Sequence, residues 1–216
     1  MKDNKLMTKV FGWMFLGLMC TFLTGYLISQ NEFTVAKLLT GYTPFILAII
    51  EIALVIFLST RIYKMQPITA KVTFLAYSIV TGITFSCLFL YYEMASIIYV
   101  FLMTAILFAV FAAIGYFTKL DLTKIGTYLF IGLIGALICG IVNIFLNNSA
   151  FDMLISIVFV VVFVGMTAYD VQKIKQLSTS GMIEEDNVAI YGALSLYLDF
   201  INLFIELLKI FGKRDD

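Results

Sequence analysis

The chain has 216 residues, 62% of them hydrophobic and only 13% charged, and its 14 basic and 14 acidic residues balance to a formal net charge of zero. A soluble domain of this size needs far more polar surface, so a mean hydropathy of +1.03 excludes a soluble globular protein and places the chain in lipid. No block of basic residues is present to recruit nucleic acid.

A spanning helix needs about 20 mostly apolar residues. The sequence holds such stretches one after another, where a membrane barrel would show short alternating ones. The first predicted segment, Val10–Ser29, follows Lys2, Lys5 and Lys9. No small-residue cleavage site lies behind it, so it reads as a retained helix rather than a leader. Pro44–Thr60 is the second segment, Val72–Tyr91 the third and Ser96–Phe117 the fourth. The fifth, Thr127–Leu146, carries Gly132, Ala136 and Gly140 four residues apart, with Asn143 on nearly the same face. Small residues at that spacing let two helices approach closely. The sixth, Leu154–Tyr169, leads into Asp170 and the polar stretch Gln172–Asn187, read as the one long connection; Val188–Phe211 is the seventh. The prediction is an all-α polytopic membrane protein, one transmembrane domain over residues 1–216, with no soluble domain or long linker. Cys20, Cys87 and Cys139 fall inside apolar segments, without CxxC spacing and in a chain without histidine. They are expected to be buried small hydrophobes, not zinc ligands or a redox pair.

Lys and Arg placement sets the expected orientation. Lys2, Lys5 and Lys9 precede segment one; Arg61, Lys64 and Lys71 separate two from three; Lys119 and Lys124 separate four from five; Lys173 and Lys175 follow six. The alternate connections hold only Lys37. This predicts a multi-pass protein of the cell membrane with a cytoplasmic N-terminus. Lys209, Lys213 and Arg214 at the tail run against the bias, leaving segment seven either fully spanning or re-entrant; its length favours a full span.

The residues that carry information are carboxylates inside apolar segments: Glu51, Asp170, Asp199 and Glu206. An ionisable group in hydrocarbon costs at least ~2.5 kcal/mol, so it usually faces the bundle interior and marks a pathway. The plainer alternative is a neutral acid bonded within the bundle, or one snorkelling at a helix end. Asp199, Asn202 and Glu206 are spaced i, i+3, i+7 and share one face of segment seven. Asp199 lies roughly 16 Å along that helix at ~1.5 Å per residue. Depth therefore groups Asp170 and Asp199, with Arg61 nearby, in the cytoplasmic half, and Glu51 and Glu206 in the outer half.

Two aspartates on adjacent helices admit two chemistries. One is intramembrane aspartyl proteolysis, in which the carboxylates share a proton and activate water. Tyr169-Asp170 resembles the first motif of presenilin-type proteases. Where a Gly-x-Gly-Asp second motif belongs, however, the chain has Leu196-Tyr197-Leu198-Asp199, and no Pro-Ala-Leu motif follows. The other is a cation or proton pathway gated by a coupled acid pair that titrates as one unit.

The run Ala193-Leu194-Ser195-Leu196-Tyr197-Leu198-Asp199-Phe200-Ile201-Asn202-Leu203-Phe204 resembles the transmembrane Bax inhibitor motif family. The resemblance extends through Ala168-Tyr169-Asp170 with Val171-Gln172-Lys173-Ile174, through Thr81-Gly82-Ile83-Thr84, and through Asn143-Ile144-Phe145. It implies a seven-helix fold with the last helix central, and a pH-sensitive calcium leak. The family's paired aspartates fall on Asp170 and Asp199, the arginine that can pair with the first on Arg61, and its helix-two glutamate on Glu51. Two departures stand out: the Glu51–Arg61 spacing is one residue shorter than in a bacterial relative, and Glu206 replaces an asparagine.

The function expected is a calcium-permeable leak channel without an enzymatic step. Asp170, Asp199 and Arg61 form its pH sensor and gate, and Glu51, Asn202, Glu206 and Asn143 line its ion pathway. Calcium and protons are the expected partners, with calcium a permeant ion that can rest on Asp170 and Asp199, and no cofactor is expected. The alternative is a membrane-embedded binding protein that modulates a membrane protease or other complex.

Overall fold

A computed structural model describes residues 2–62, 64–180 and 184–215. The described residues form helices and no strands: α1 (Lys2–Ser29), α2 (Glu32–Leu39), α3 (Thr43–Arg61), α4 (Pro67–Phe85), α5 (Leu88–Tyr91), α6 (Met94–Phe117), α7 (Thr123–Leu146), α8 (Ser149–Ser180) and α9 (Glu185–Phe211). Seven spans are long and apolar enough to cross a membrane, α4 and α5 together forming one of them.

Local chemistry sets the helix ends. Pro44 and Pro67 sit in the first turns of α3 and α4, where a missing N–H costs nothing. Asn147 ends α7 in the left-handed conformation at φ 48°. In the connection before α7, hydrogen bonds from the hydroxyl and amide of Thr123 hold the Asp121 carboxyl below its usual range. α4 stops where Ser86 Oγ and Cys87 Sγ turn back onto the carbonyls of Ile83 and Thr84. The predicted segment Val72–Tyr91 is thus part of one span, Pro67–Tyr91, built from two helices.

Three expectations are corrected. α2 was not anticipated; it is capped by the Asn31 side chain accepting from the Thr34 amide at 3.0 Å, and it buries Val35. The stretch Gln172–Asn187, expected to be a loop, is helical up to Ser180 and again from Glu185, and residues 181–183 lie outside the described residues. Cys139, expected inside, is exposed on α7, while Cys20 and Cys87 are half-buried.

The helices gather into two compact units, and α9 runs through both. Unit 1 comprises Met1–Glu93, Leu177–Tyr197 and Arg214–Asp216. Here α1 and α4 lie so close that a Cβ on Gly82 would come within 2.7 Å of the Thr21 carbonyl. Lys9 and Lys71 reach Asp186 at 3.1 and 2.6 Å, and Lys9 also reaches Glu185 at 2.8 Å. These ion pairs hold the start of α9 to α1 and α4. The Asn187 amide donates to the Met65 carbonyl in the α3–α4 connection. Beyond the other end of α9, Asp215 N–H donates to Tyr91 O, and Arg214 lies 5.2 Å from the centre of the Tyr91 ring. α9 is one unbroken helix from Glu185 to Phe211, so the last segment does not turn back on itself.

Unit 2 comprises Met94–Gln176 and Leu198–Lys213. Gly115 on α6 lies directly beneath the Ala168 backbone of α8, where any side chain would collide. Phe101 and Phe108 meet Phe200 edge to face at 5.2 and 5.5 Å. The Gln172 amide bridges Leu120 O and Leu122 N at 2.8 Å each, fixing the α6–α7 connection against α8. By contrast, the Gly132–Gly140 stripe is not the tight contact it was expected to be. A Cβ on Gly140 would meet nothing within 4 Å, and one on Gly132 would make only an ordinary contact with Val162.

Burial separates α9 from the rest. Inside its most apolar stretch 72% of residues are buried, against 6% in α3 and 39% in α8. Outward positions such as Ile144 and Phe145, 77% and 84% exposed on α7, are apolar, as a lipid-facing surface requires.

Candidate functional site

The site in unit 2 is built from α8 and α9. On α8, Asp170 follows Thr167, whose hydroxyl is absorbed by the Phe163 carbonyl, and Tyr169, whose ring fills the space left by Gly126. These neighbours are anchored, and the Asp170 carboxyl is left buried. On α9, Asp199 is still more deeply buried, and its Oδ2 has no hydrogen-bond partner. Both aspartates belong to unit 2.

A cation of this unit, Lys173, stands one helical turn beyond Asp170 on α8. Its Nζ lies 5.7 Å from the centre of the Tyr169 ring. Sequence reasoning used Lys173 only as an orientation marker; its i, i+3 spacing from Asp170 was the available signal. Arg61 is the last residue of α3 in unit 1 and is exposed.

The remaining residues of the α9 stripe differ in state. Asn202 donates its amide to the Leu198 carbonyl of its own helix at 2.8 Å. Glu206 is buried; Oε1 accepts from Lys209 Nζ at 2.9 Å, while Oε2 is buried without a partner. Asp199 and Glu206 therefore each hold a bare carboxylate oxygen, about 10 Å apart along the helix at ~1.5 Å per residue. Such atoms are costly when buried unless a proton, water or cation visits them.

Two other expected residues lie apart from this stripe in their bonding. Asn143 accepts from the Asn148 amide at 3.3 Å and so serves the end of α7. Glu51, in unit 1, accepts from the Thr84 hydroxyl at 2.6 Å. Among the described residues, no group of three or more His, Cys, Asp or Glu side chains is placed to hold a metal ion.

Known proteins resemble the chain along its full length. The profile of one family, inhibitor of apoptosis-promoting Bax1, matches residues 3–216. The inner membrane protein YbhL of Escherichia coli K12 is 41% identical over 215 residues, covering 96% of this chain and 91% of its own length. A Borreliella burgdorferi protein is 40% identical over 217 residues, with 98% and 93% covered. A Deinococcus radiodurans protein is 36% identical over 211 residues, with 97% and 90% covered. A full-length family match, an inner-membrane relative and seven apolar helices converge: this chain is a multi-pass membrane protein of the Bax inhibitor-like family.

Proposed function

We propose that the protein is a pH-sensitive, calcium-permeable leak, driven by the ion gradient without an enzymatic step. Its sensor is the Asp170–Asp199 pair. The observation that carries this reading is the burial of two carboxyls on α8 and α9 within one unit, one with an oxygen left unpartnered. Protonated, the pair can share a proton and hold the two helices together. Ionised, it places like charges side by side and favours their separation. Lys173 stabilises the charge on Asp170 from its own helix, and Arg61 enters the proposal as the cation that ends α3.

Glu206 and Asn202 continue the polar face of α9 as the ion path, and Glu51, when ionised, attracts cations. Calcium takes about six to eight oxygen ligands. Two carboxylates supply only part of that shell, so an ion at the pair keeps several waters and stays mobile. Lysine and arginine placement puts the N-terminus in the cytoplasm. Calcium flux into liposomes containing only the purified protein, measured across a pH series, tests the proposal: a pH-dependent flux is expected, and no flux at any pH removes the channel reading.

A further inference from the structure

Unit 1 contains a second polar cluster, of which the calcium reading uses only Glu51; Tyr77, Thr81 and Tyr197 form its buried side, while Glu51 is half-buried and Thr84 exposed. On α4, Tyr77, Thr81 and Thr84 recur at i, i+4, i+7 and share a face. Tyr77 and Thr81 are buried. Tyr197 of α9 is fully buried; its ring centre stands 5.8 Å from that of Tyr77, and its hydroxyl lies 2.6 Å from Thr21 Oγ1 on α1. Both phenols lie within hydrogen-bonding reach of the Thr81 hydroxyl, which is buried and makes no well-formed hydrogen bond as the side chains stand. Glu51 of α3 closes the cluster. It accepts from Thr84 and acts electrostatically on both phenols.

Counting hydrogens gives this cluster a direction. A threonine hydroxyl has one hydrogen, and that of Thr21 goes to the Ser78 carbonyl at 2.9 Å. The short contact between Thr21 and Tyr197 must then be donated by Tyr197. The phenol oxygen is left as an acceptor facing the cluster, and the Thr81 hydrogen is free to point at either phenol. The order runs from Thr81 to Tyr197 to Thr21 and stops at a backbone carbonyl. A backbone carbonyl has no proton to hand on, so the cluster can bind a proton but not conduct one across.

We infer that Glu51, with the hydroxyls of Thr84, Thr81, Tyr77 and Tyr197, is a proton-binding site in unit 1 whose occupancy is read at the Tyr197 phenol. A proton from water forms an O–H bond on the Glu51 carboxylate. Glu51 then donates to Thr84 Oγ1, and the Thr84 hydrogen turns to the Val80 carbonyl, 3.5 Å away. No hydroxyl gains or loses a proton; the negative charge facing the phenols disappears. From α4 the groups facing Glu51 are Thr84 and Tyr77, and from α9 Tyr197; none is charged at neutral pH. α2, which also packs on α3, offers only Glu32 and Lys37, both exposed.

The site stands without the calcium reading, and its test needs no flux. The full-length protein is placed in lipid nanodiscs, and pH-difference infrared spectra are recorded with ring-labelled tyrosine. The Asp170→Asn/Asp199→Asn/Glu206→Gln background removes the other buried carboxyls of α8 and α9. A carboxylic-acid C=O band is expected to rise as pH falls, and a tyrosine band to move with the same midpoint. Glu51→Gln should abolish both. Thr84→Val should displace the carboxyl band, whereas Thr84→Ser, which keeps the hydroxyl, should leave it in place. Tyr197→Phe should reduce the tyrosine response, Tyr77→Phe/Tyr197→Phe should abolish it, and both variants should keep the carboxyl band. A carboxyl band that survives Glu51→Gln or is unmoved by Thr84→Val overturns the inference, as does a tyrosine spectrum that ignores pH.

Discussion

Lys173 stands one turn beyond Asp170 on α8, and its charge reaches the buried Asp170 carboxyl. The aspartate thus has a cation on its own helix, held in place by the aromatic face of Tyr169. Removing that cation leaves the ionised pair less compensated, so protonated pairs persist to higher pH. An i, i+3 pair of this kind is worth about 0.3–0.5 kcal/mol. At ~1.4 kcal/mol per pH unit that is a few tenths of a unit. Lys173→Met should move the midpoint of the flux–pH profile upward by that amount, and Lys173→Arg should restore it. A profile that ignores Lys173→Met separates this lysine from the sensor.

Close helix contacts make a stability prediction with an internal control. Gly115→Ala forces a Cβ into the Ala168 backbone, and Gly82→Ala forces one against Thr21 and Thr24. Overpacking of this kind costs about 1–3 kcal/mol. Gly140→Ala meets nothing within 4 Å, and replacing a mid-helix glycine by alanine gains up to ~1 kcal/mol. Thermal unfolding in one detergent should rank Gly140→Ala at or above wild type, with Gly82→Ala and Gly115→Ala below it.

The same glycines mark what was legible in the sequence. Hydropathy alone located all seven spans, because a soluble domain of this size cannot bury so many apolar runs, each long enough to cross lipid. The buried aspartates were legible too, since a carboxylate in a greasy helix is expensive wherever it points. Contact partners were not. The Gly132–Gly140 stripe matches a packing motif, but spacing does not say which neighbour covers a face, and the tight approaches fall at Gly82, Gly115 and Gly126. α2 escaped notice because eight residues give too short a pattern, and only the Asn31 cap announces it. The Gln172–Asn187 stretch is polar yet mostly helical, because helices continue past the lipid wherever backbone hydrogen bonds allow.

The path of α9 makes a topological prediction. Its start is tied to Met65 through Asn187, and the chain just past its end to Tyr91. A full crossing with a cytoplasmic N-terminus leaves the C-terminus outside, despite Lys209, Lys213 and Arg214. Cysteines placed at Lys5 and Arg214, in a background lacking the native three, should react with impermeant reagent from opposite faces. Labelling of both from one face would end the seven-span arrangement.

Glu206 allows the proposed ion supply to be tested apart from the proposed sensing. Its Oε2 is buried and bare, and Lys209 compensates the other oxygen from a partly exposed position. Glu206→Gln keeps the shape and removes the charge. Calcium flux at fixed pH should fall several-fold, since ~1 kcal/mol of lost cation attraction is about fivefold. The midpoint of the pH profile should stay where it is. Unchanged flux would take Glu206 out of the path.

The aspartate pair carries the central prediction. Asp170 and Asp199 are both buried, one on α8 and one on α9. If they titrate as one acid unit, neither residue alone owns the pH response, and replacing either should remove most of it. Asparagine keeps the volume and a hydrogen-bonding group while abolishing the titration. A charge-assisted hydrogen bond is worth about 1.5–3 kcal/mol, or roughly one to two decades in the balance of two states. Asp170→Asn and Asp199→Asn should each flatten the flux–pH profile by about that factor, and the double variant should lose little more than either single one. That non-additivity is the diagnostic result, because two independent sensors would add. The direction in which flux moves with pH is set by whether calcium rests on the ionised pair. Flux measured at two calcium concentrations reads this separately: an ion that lodges there makes flux saturate at high pH and not at low. If both asparagine variants keep the wild-type pH profile, the pair is not the sensor, which then lies elsewhere.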